Sequence, residues 1–178
     1  MFNTVHSKNL EIAKLGNEIL RQKAKKVCDI LDDDIQNLIS DMLHTVKKSN
    51  GVGLAAPQVS KSLQILIISS KPNDRYPNAP HKEPTVIINP QIIETSKSKN
   101  KDWEGCLSIP GIRATILRHD TIKVQFSNEK AEVKSELFEG FIARVFQHEY
   151  DHLNGLVFLD NIESTKDIIS EEMYFKLH

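Results

Sequence analysis

Cysteine is scarce in this chain of 178 residues, with Cys28 and Cys106 the two present. A pair cannot form the disulfide framework of a small secreted domain, and both read as reduced thiols. An excess of one charge is also missing. Lys and Arg number 23 against 24 Asp and Glu, a net charge of -1. No global field therefore advertises nucleic acid or an anionic membrane as a partner. Long apolar runs are absent too. The strongest, Ile65 to Ile68 with Leu63 just before it, is far short of a membrane span. Residues 1–16 hold no apolar run of signal-peptide length, so the cytoplasm is the expected location. No repeat of solenoid length is visible. What remains is an ordinary composition, 39% hydrophobic and 26% charged. It excludes wholesale disorder, and residues 1–178 read as one domain.

Two helices stand out. Over residues 32–48, Asp32 to Asp34 offer a cap and an acidic first turn. Ile35, Leu38, Ile39, Met42, Leu43 and Val46 follow at helical spacing, and Asn50-Gly51 stops them. Over residues 138–153, Phe138, Phe141, Ile142, Val145 and Phe146 form an apolar face, with Asn154-Gly155 as the stop. Strands are expected at 63–69, at 85–88 (ended by Asn89-Pro90), at 113–118 and at 121–127. Residues 131–137 would return as a hairpin partner. The Ser- and Lys-rich run 95–102 reads as a solvated loop, and the proline-rich stretch 71–84 as an irregular one. A terminal helix is expected over 164–176.

The second strong helix carries His148-Glu149-Tyr150-Asp151-His152. Histidines at i and i+4 project from one face, so both imidazoles can converge on one metal ion, and Glu149 can reach a water there. The motif extends the stripe formed by residues 141 and 145, on the core side of the helix. A catalytic site of this kind needs a third protein ligand. The spacing to a further histidine after Gly155 fails, because position 158 is Phe. Two choices remain. Glu172, 20 residues after His152, suits a zinc endopeptidase, and Cys106 would give one thiolate and two imidazoles. Cys106 sits in Trp103-Glu104-Gly105-Cys106-Leu107-Ser108-Ile109-Pro110-Gly111. There Gly105 permits close backbone approach and Pro110-Gly111 signals a turn. Cys28, among Lys25, Lys26 and Asp29, has no such context.

Gly51-Val52-Gly53-Leu54-Ala55-Ala56-Pro57-Gln58 matches a dinucleotide fingerprint only superficially. A helix precedes it where a strand is required, and Pro57 interrupts the stretch where a helix should open. Its physical content is a tight backbone beside the Gln58 amide.

Together, three segments resemble the peptide deformylase family. They are Gly51 to Gln58 (G-x-G-x-A-A-x-Q), Glu104 to Ser108 (E-G-C-x-S) and Gln147 to His152 (Q-H-E-x-D-H). Every marked position is intact, and the likeness spans residues 10–160. It implies an α+β fold with antiparallel β-sheets packed around a central metal-binding helix. It implies metal ligation by Cys106, His148 and His152, and removal of the formyl group from the formylmethionine of new polypeptides. Metal-activated hydroxide would attack the formyl carbon, with Glu149 as general acid/base and with Gln58 and the Leu107 N–H stabilising the oxyanion. Val52, Gly53 and Gly105 would pair with the substrate main chain. Phe141 and Val145 would line the methionine pocket, and Arg113 would lie near the downstream peptide. The cofactor implied is one divalent ion, Fe(II) in the cell, with zinc, nickel or cobalt in purified protein. The partners implied are nascent formyl-Met chains, met at the ribosome near the exit tunnel. The tail after Phe158 carries no marked motif, and residues 71–84 are longer than in the shortest relatives.

Overall fold

The computed structural model describes residues 7–177. The expectation for the chain start falls partly on residues 1–6, outside the described residues. Helix α1 (Asp33–Lys48) begins where the acidic run predicts, and the Asp32 carboxylate accepts from the Asp34 N–H. Eight strands come after it: β1 (Gly53–Ala55), β2 (Ile65–Ser70), β3 (Lys82–Thr95), β4 (Lys99–Cys106), β5 (Ile109–His119), β6 (Thr121–Ser127), β7 (Val133–Glu139) and β8 (Ile168–Ser170). Helix α2 (Gly140–Leu153) lies between β7 and β8, and α3 (Glu171–Leu177) comes last. One sheet runs β1-β2-β3-β6-β7 and the other β4-β5-β8, and their pairings are antiparallel. Among the described residues no helix is long and apolar enough to cross a membrane.

The unbroken apolar run Ile65 to Ile68 is explained by burial on both sides of β2. Ile65 and Ile67 pack with Leu38, Ile39, Met42 and Val46 of α1. Leu66 and Ile68 face the opposite layer, with Val145 and Phe146 of α2. A third cluster, including Cys106, Ile116, Val157 and Phe158, lies against the smaller sheet. Helix α2 is therefore central, with the large sheet on its apolar face and the small sheet beside its polar one.

Five local expectations are corrected. The polar run 95–102 is a loop only at 96–98, because Thr95 ends β3 and Lys99 to Cys106 form β4, paired along β5. Its side chains Lys99 to Asp102 stand at an exposed sheet edge, so main-chain bonding holds a strand that hydropathy hides. Asn89-Pro90 does not end β3. It makes a register shift within it: Asn89 takes φ 52, and its amide bonds both the N–H and the C=O of Val27. Pro110-Gly111 lies within β5, and the turn between β4 and β5 is Leu107-Ser108. The tail is not one helix. A 3-10 turn (Thr165–Asp167) leads into β8, and only then does α3 form. The start of α2 also shifts, because Phe138 and Glu139 belong to β7 and Gly140, at φ 53, turns the chain into the helix.

Gly155 ends the α2 exit at φ 74, and a Cβ there would lie 2.7 Å from the Arg21 carbonyl oxygen. Gly111 has φ 85 but open space around it. Gly155→Ala should lower unfolding free energy by about 2–4 kcal/mol, combining left-handed strain with a backbone clash. Gly111→Ala should cost about 1–2 kcal/mol, the strain alone. Urea unfolding of both variants beside wild type measures the difference.

Candidate active site

The polar face of α2 is buried, and its partners come from β4 and β5. Cys106 is 2% exposed, His148 8%, Glu149 5% and His152 0%. Ligand atoms of Cys106, His148 and His152 lie within 4.8 Å of one another. Cys106 Sγ is 3.4 Å from His152 Nε2, and the two imidazoles meet edge to face at 5.2 Å. Burial alone would push the Cys106 thiol up. The neighbouring His152 and His148 outweigh it and hold the thiol well below its ordinary value.

Glu104 organises this face. Its carboxylate accepts from Arg118 Nε at 2.9 Å, Arg118 Nη2 at 3.1 Å, Arg144 Nη1 at 2.9 Å and His148 Nδ1 at 2.9 Å. A carboxylate only accepts, so Nδ1 of His148 carries the proton and Nε2 is left for the cysteine side. Burial opposes ionisation of Glu104, but the Arg118 charge and these hydrogen bonds prevail and keep it far below the usual carboxylate range. Arg118 also donates to Asp151 at 2.7 Å, so the network returns to α2 one turn beyond His148. Arg144 is locked by the carbonyls of Ile116 and Asn100, each at 2.7 Å.

Glu149 points to the same space. Its Oε2 is buried without a hydrogen-bond partner. Burial pushes its carboxyl up to about 7. Gly53 makes room for it, since a Cβ there would lie 2.5 Å from Glu149 Oε1. Gln58 is not a solvated loop residue but is 1% exposed. Its Oε1 accepts from the Ala55 N–H at 2.8 Å, which turns the Nε2 amide toward Cys106 Sγ (3.5 Å) and Ser108 Oγ (3.3 Å).

A cleft runs beside these groups, and Val52, Gly53, Gln58, Gly105, Leu107, Phe141 and Val145 all line it. The structure thus brings together the predicted residues apart from two. Arg113 does not line the cleft. It is buried beneath α3, bonded to Glu171 Oε1 at 3.2 Å and to the Arg75 carbonyl at 3.2 Å, with the Tyr174 ring 4.2 Å from its guanidinium. Glu172 is far from a ligand's place, standing exposed on α3 and paired with Lys176. That geometry removes the sequence basis for an endopeptidase.

Residues the sequence reading passed over also line the cleft. Arg75 and Tyr76 come from the proline-rich loop, and the Tyr76 hydroxyl donates to the Gly105 carbonyl at 3.4 Å. Tyr76 also meets Phe141 edge to face at 5.5 Å. Arg118 and Arg144 were overlooked because isolated arginines carry no motif. A buried Glu104 on the same strand as Cys106 was the available signal for them, since a buried charge demands partners.

A family model for polypeptide deformylase matches residues 9–167. The chain belongs to the polypeptide deformylase family. Among curated deformylases, peptide deformylase 2 of a Nostoc species is 48% identical over 94% of each chain. Peptide deformylase 2 of Shewanella oneidensis is 47% identical over 86% of this chain and 84% of its own. Among solved structures, a class I type b peptide deformylase of Acinetobacter baumannii, bound to Met-Ala-Ser, superposes with a TM-score of 0.85. It is 40% identical, over 88% of this chain and 99% of that one. A peptide deformylase of Synechococcus elongatus in complex with actinonin gives 0.80 at 37% identity, over 89% and 81%. These deformylases share the mixed α+β fold with antiparallel sheets described above.

The network predicts a stability effect. Glu104→Ala leaves Arg118, Arg144 and His148 facing an uncompensated buried space. It should lower the unfolding free energy of metal-free protein by about 3–5 kcal/mol. Urea unfolding followed by far-UV dichroism checks this, and a loss under about 1 kcal/mol would contradict the role given to Glu104.

Proposed function

We propose that this chain hydrolyses the formyl group from the N-terminal formylmethionine of newly made polypeptides in the cytoplasm, releasing formate. One observation carries the reading: a buried Glu149 carboxyl, its Oε2 without a hydrogen-bond partner, lines the same cleft as Cys106, His148 and the fixed Gln58 amide.

Cys106, His148 and His152 fit a metal ion. The cysteine is driven toward thiolate, Glu104 orients one imidazole, and the other imidazole turns its Nε2 to within 3.4 Å of the sulfur. An Fe(II) or zinc ion held there would supply Lewis-acid polarisation of the formyl group and acidify the attacking water.

The chain's own residues do the rest. Glu149, titrating near neutrality, takes the water proton at its carboxylate and returns it to the leaving amine of methionine. The Gln58 Nε2–H and the Leu107 N–H donate to the oxygen that becomes an oxyanion, each such donor contributing about 10²–10³ in kcat. Strand β1 is an edge of the larger sheet and β4 an edge of the smaller one, and both border the cleft. A substrate strand between them can bond the main chain at Val52, Gly53 and Gly105 without regard to its side chains. Phe141 and Val145 offer an apolar wall to the methionine. The Met-Ala-Ser ligand of the Acinetobacter relative supports a peptide that begins with methionine. Arg113 acts on the downstream peptide only through α3 and Arg75, which cover it.

Formate release from a formyl-Met tripeptide by anaerobically prepared, Fe(II)-loaded protein tests the proposal. Wild type should turn over, and Cys106→Ala should lose both bound metal and turnover. Glu149→Ala should keep its metal and lose at least about 10²-fold in kcat. Wild type that binds metal but releases no formate would refute the reaction. A Glu149→Ala variant as fast as wild type would refute the mechanism.

A further inference from the structure

Gln58 and Leu107, the two oxyanion donors of the proposed reaction, sit on separate turns. Gln58 lies in the 3-10 turn Ala56–Val59, directly after β1 of the larger sheet. Leu107 lies in the hairpin between β4 and β5 of the smaller one. Two donors serve one oxygen only if their separation and direction are held closely. The chain segment at residues 13–15 crosses both turns. Ala13 N–H donates to the Gln58 carbonyl at 2.8 Å, and Leu15 N–H donates to the Ser108 carbonyl at 2.9 Å. Between them, Lys14 Nζ donates to the Leu107 carbonyl at 2.8 Å.

The segment is itself fixed at both ends. Leu10 N–H donates to Thr45 Oγ1 of α1 at 2.9 Å. On the other side, Asn17 caps a 3-10 turn (Glu18–Arg21) whose Leu20 is fully buried. Ser108, which receives the Leu15 bond, also touches the Gln58 amide. The bonds to the hairpin hold the two peptide planes that follow Leu107, those carrying the Leu107 and Ser108 carbonyls, and so limit how far the adjoining plane that carries the Leu107 N–H can turn. We propose that residues 13–15 form a strap that sets the two oxyanion donors against each other, with Lys14 as a positioning residue for catalysis. This rests on the deformylase reading and on Gln58 and the Leu107 N–H as donors.

Lys14 is the part of the strap that a substitution can remove without touching the main chain. It is exposed, and a surface bond of this kind contributes little to folding. Its loss should therefore appear in turnover and not in stability. In metal-loaded protein acting on a formyl-Met tripeptide, Lys14→Met should lower kcat about tenfold, with KM within about twofold of wild type. Lys14→Arg, which can still donate to the Leu107 carbonyl, should restore kcat. The melting temperature of both variants should stay within about 2 °C of wild type. In ¹⁵N spectra of zinc-loaded protein without substrate, the Leu107 amide should shift in Lys14→Met and return in Lys14→Arg.

Gln58→Ala, run alongside, separates two failures. If it keeps wild-type kcat, the oxyanion reading fails and the strap with it. If it loses kcat while Lys14→Met keeps both wild-type kcat and an unmoved Leu107 amide, the donors stand and the strap is refuted. A rise in KM alone for Lys14→Met, or failure of Lys14→Arg to restore kcat, also overturns the positioning role.

Discussion

Everything at the site depends on one buried carboxylate. Glu104 is 4% exposed, an expensive place for a charge, and it is tolerable only because two arginines and a histidine donate to it. Those donors come from β5 and α2, so a single side chain on β4 fastens the small sheet to the helix that the large sheet supports. Cys106 is two residues along the same strand. The network that orients His148 therefore also fixes the approach of the thiol, and the ligand group is assembled by the same contacts that join the sheets.

That joint explains the shape of the cleft. Edge strands β1 and β4 border it without closing it, because α2 lies between the two sheets as a spacer. Main-chain groups at the rims suit the proposed action on many polypeptides, which would leave chemical selectivity to the floor. There Gly53 leaves space for Glu149, and Phe141 and Val145 supply an apolar wall. Under the proposed reaction, backbone recognition at the rim with fixed polar groups beneath would give broad substrate range and a single chemistry.

The parts legible in the sequence were those written in local chemistry. Helix α1 declares itself by its acidic cap and its spacing, and the histidine pair on α2 by its i, i+4 register. The Ile65 to Ile68 run declares a buried strand. What was hidden was written in partners distant along the chain. Strand β4 looks like a loop because its first residues are charged and exposed, and only pairing with β5 makes it a strand. Asn89 looks like a stop because its contacts with Val27 lie far off in sequence. Glu104 was visible within its motif, but Arg118 and Arg144 were not, since nothing local distinguishes a buried arginine from a solvated one. Arg113 matched a position without matching an exposure, because α3 and the Arg75 loop cover it. Glu172 had acceptable spacing for a ligand, and its exposed side chain shows how little spacing means without direction.

The central claim is that β4 and α2, joined through Glu104, present one sulfur and two imidazole nitrogens to a single ion. X-ray absorption at the zinc edge, on protein loaded with one equivalent of zinc, tests it most directly. The account predicts one sulfur at about 2.3 Å and two imidazole nitrogens at about 2.0–2.1 Å. A first shell of nitrogen and oxygen without sulfur would contradict it.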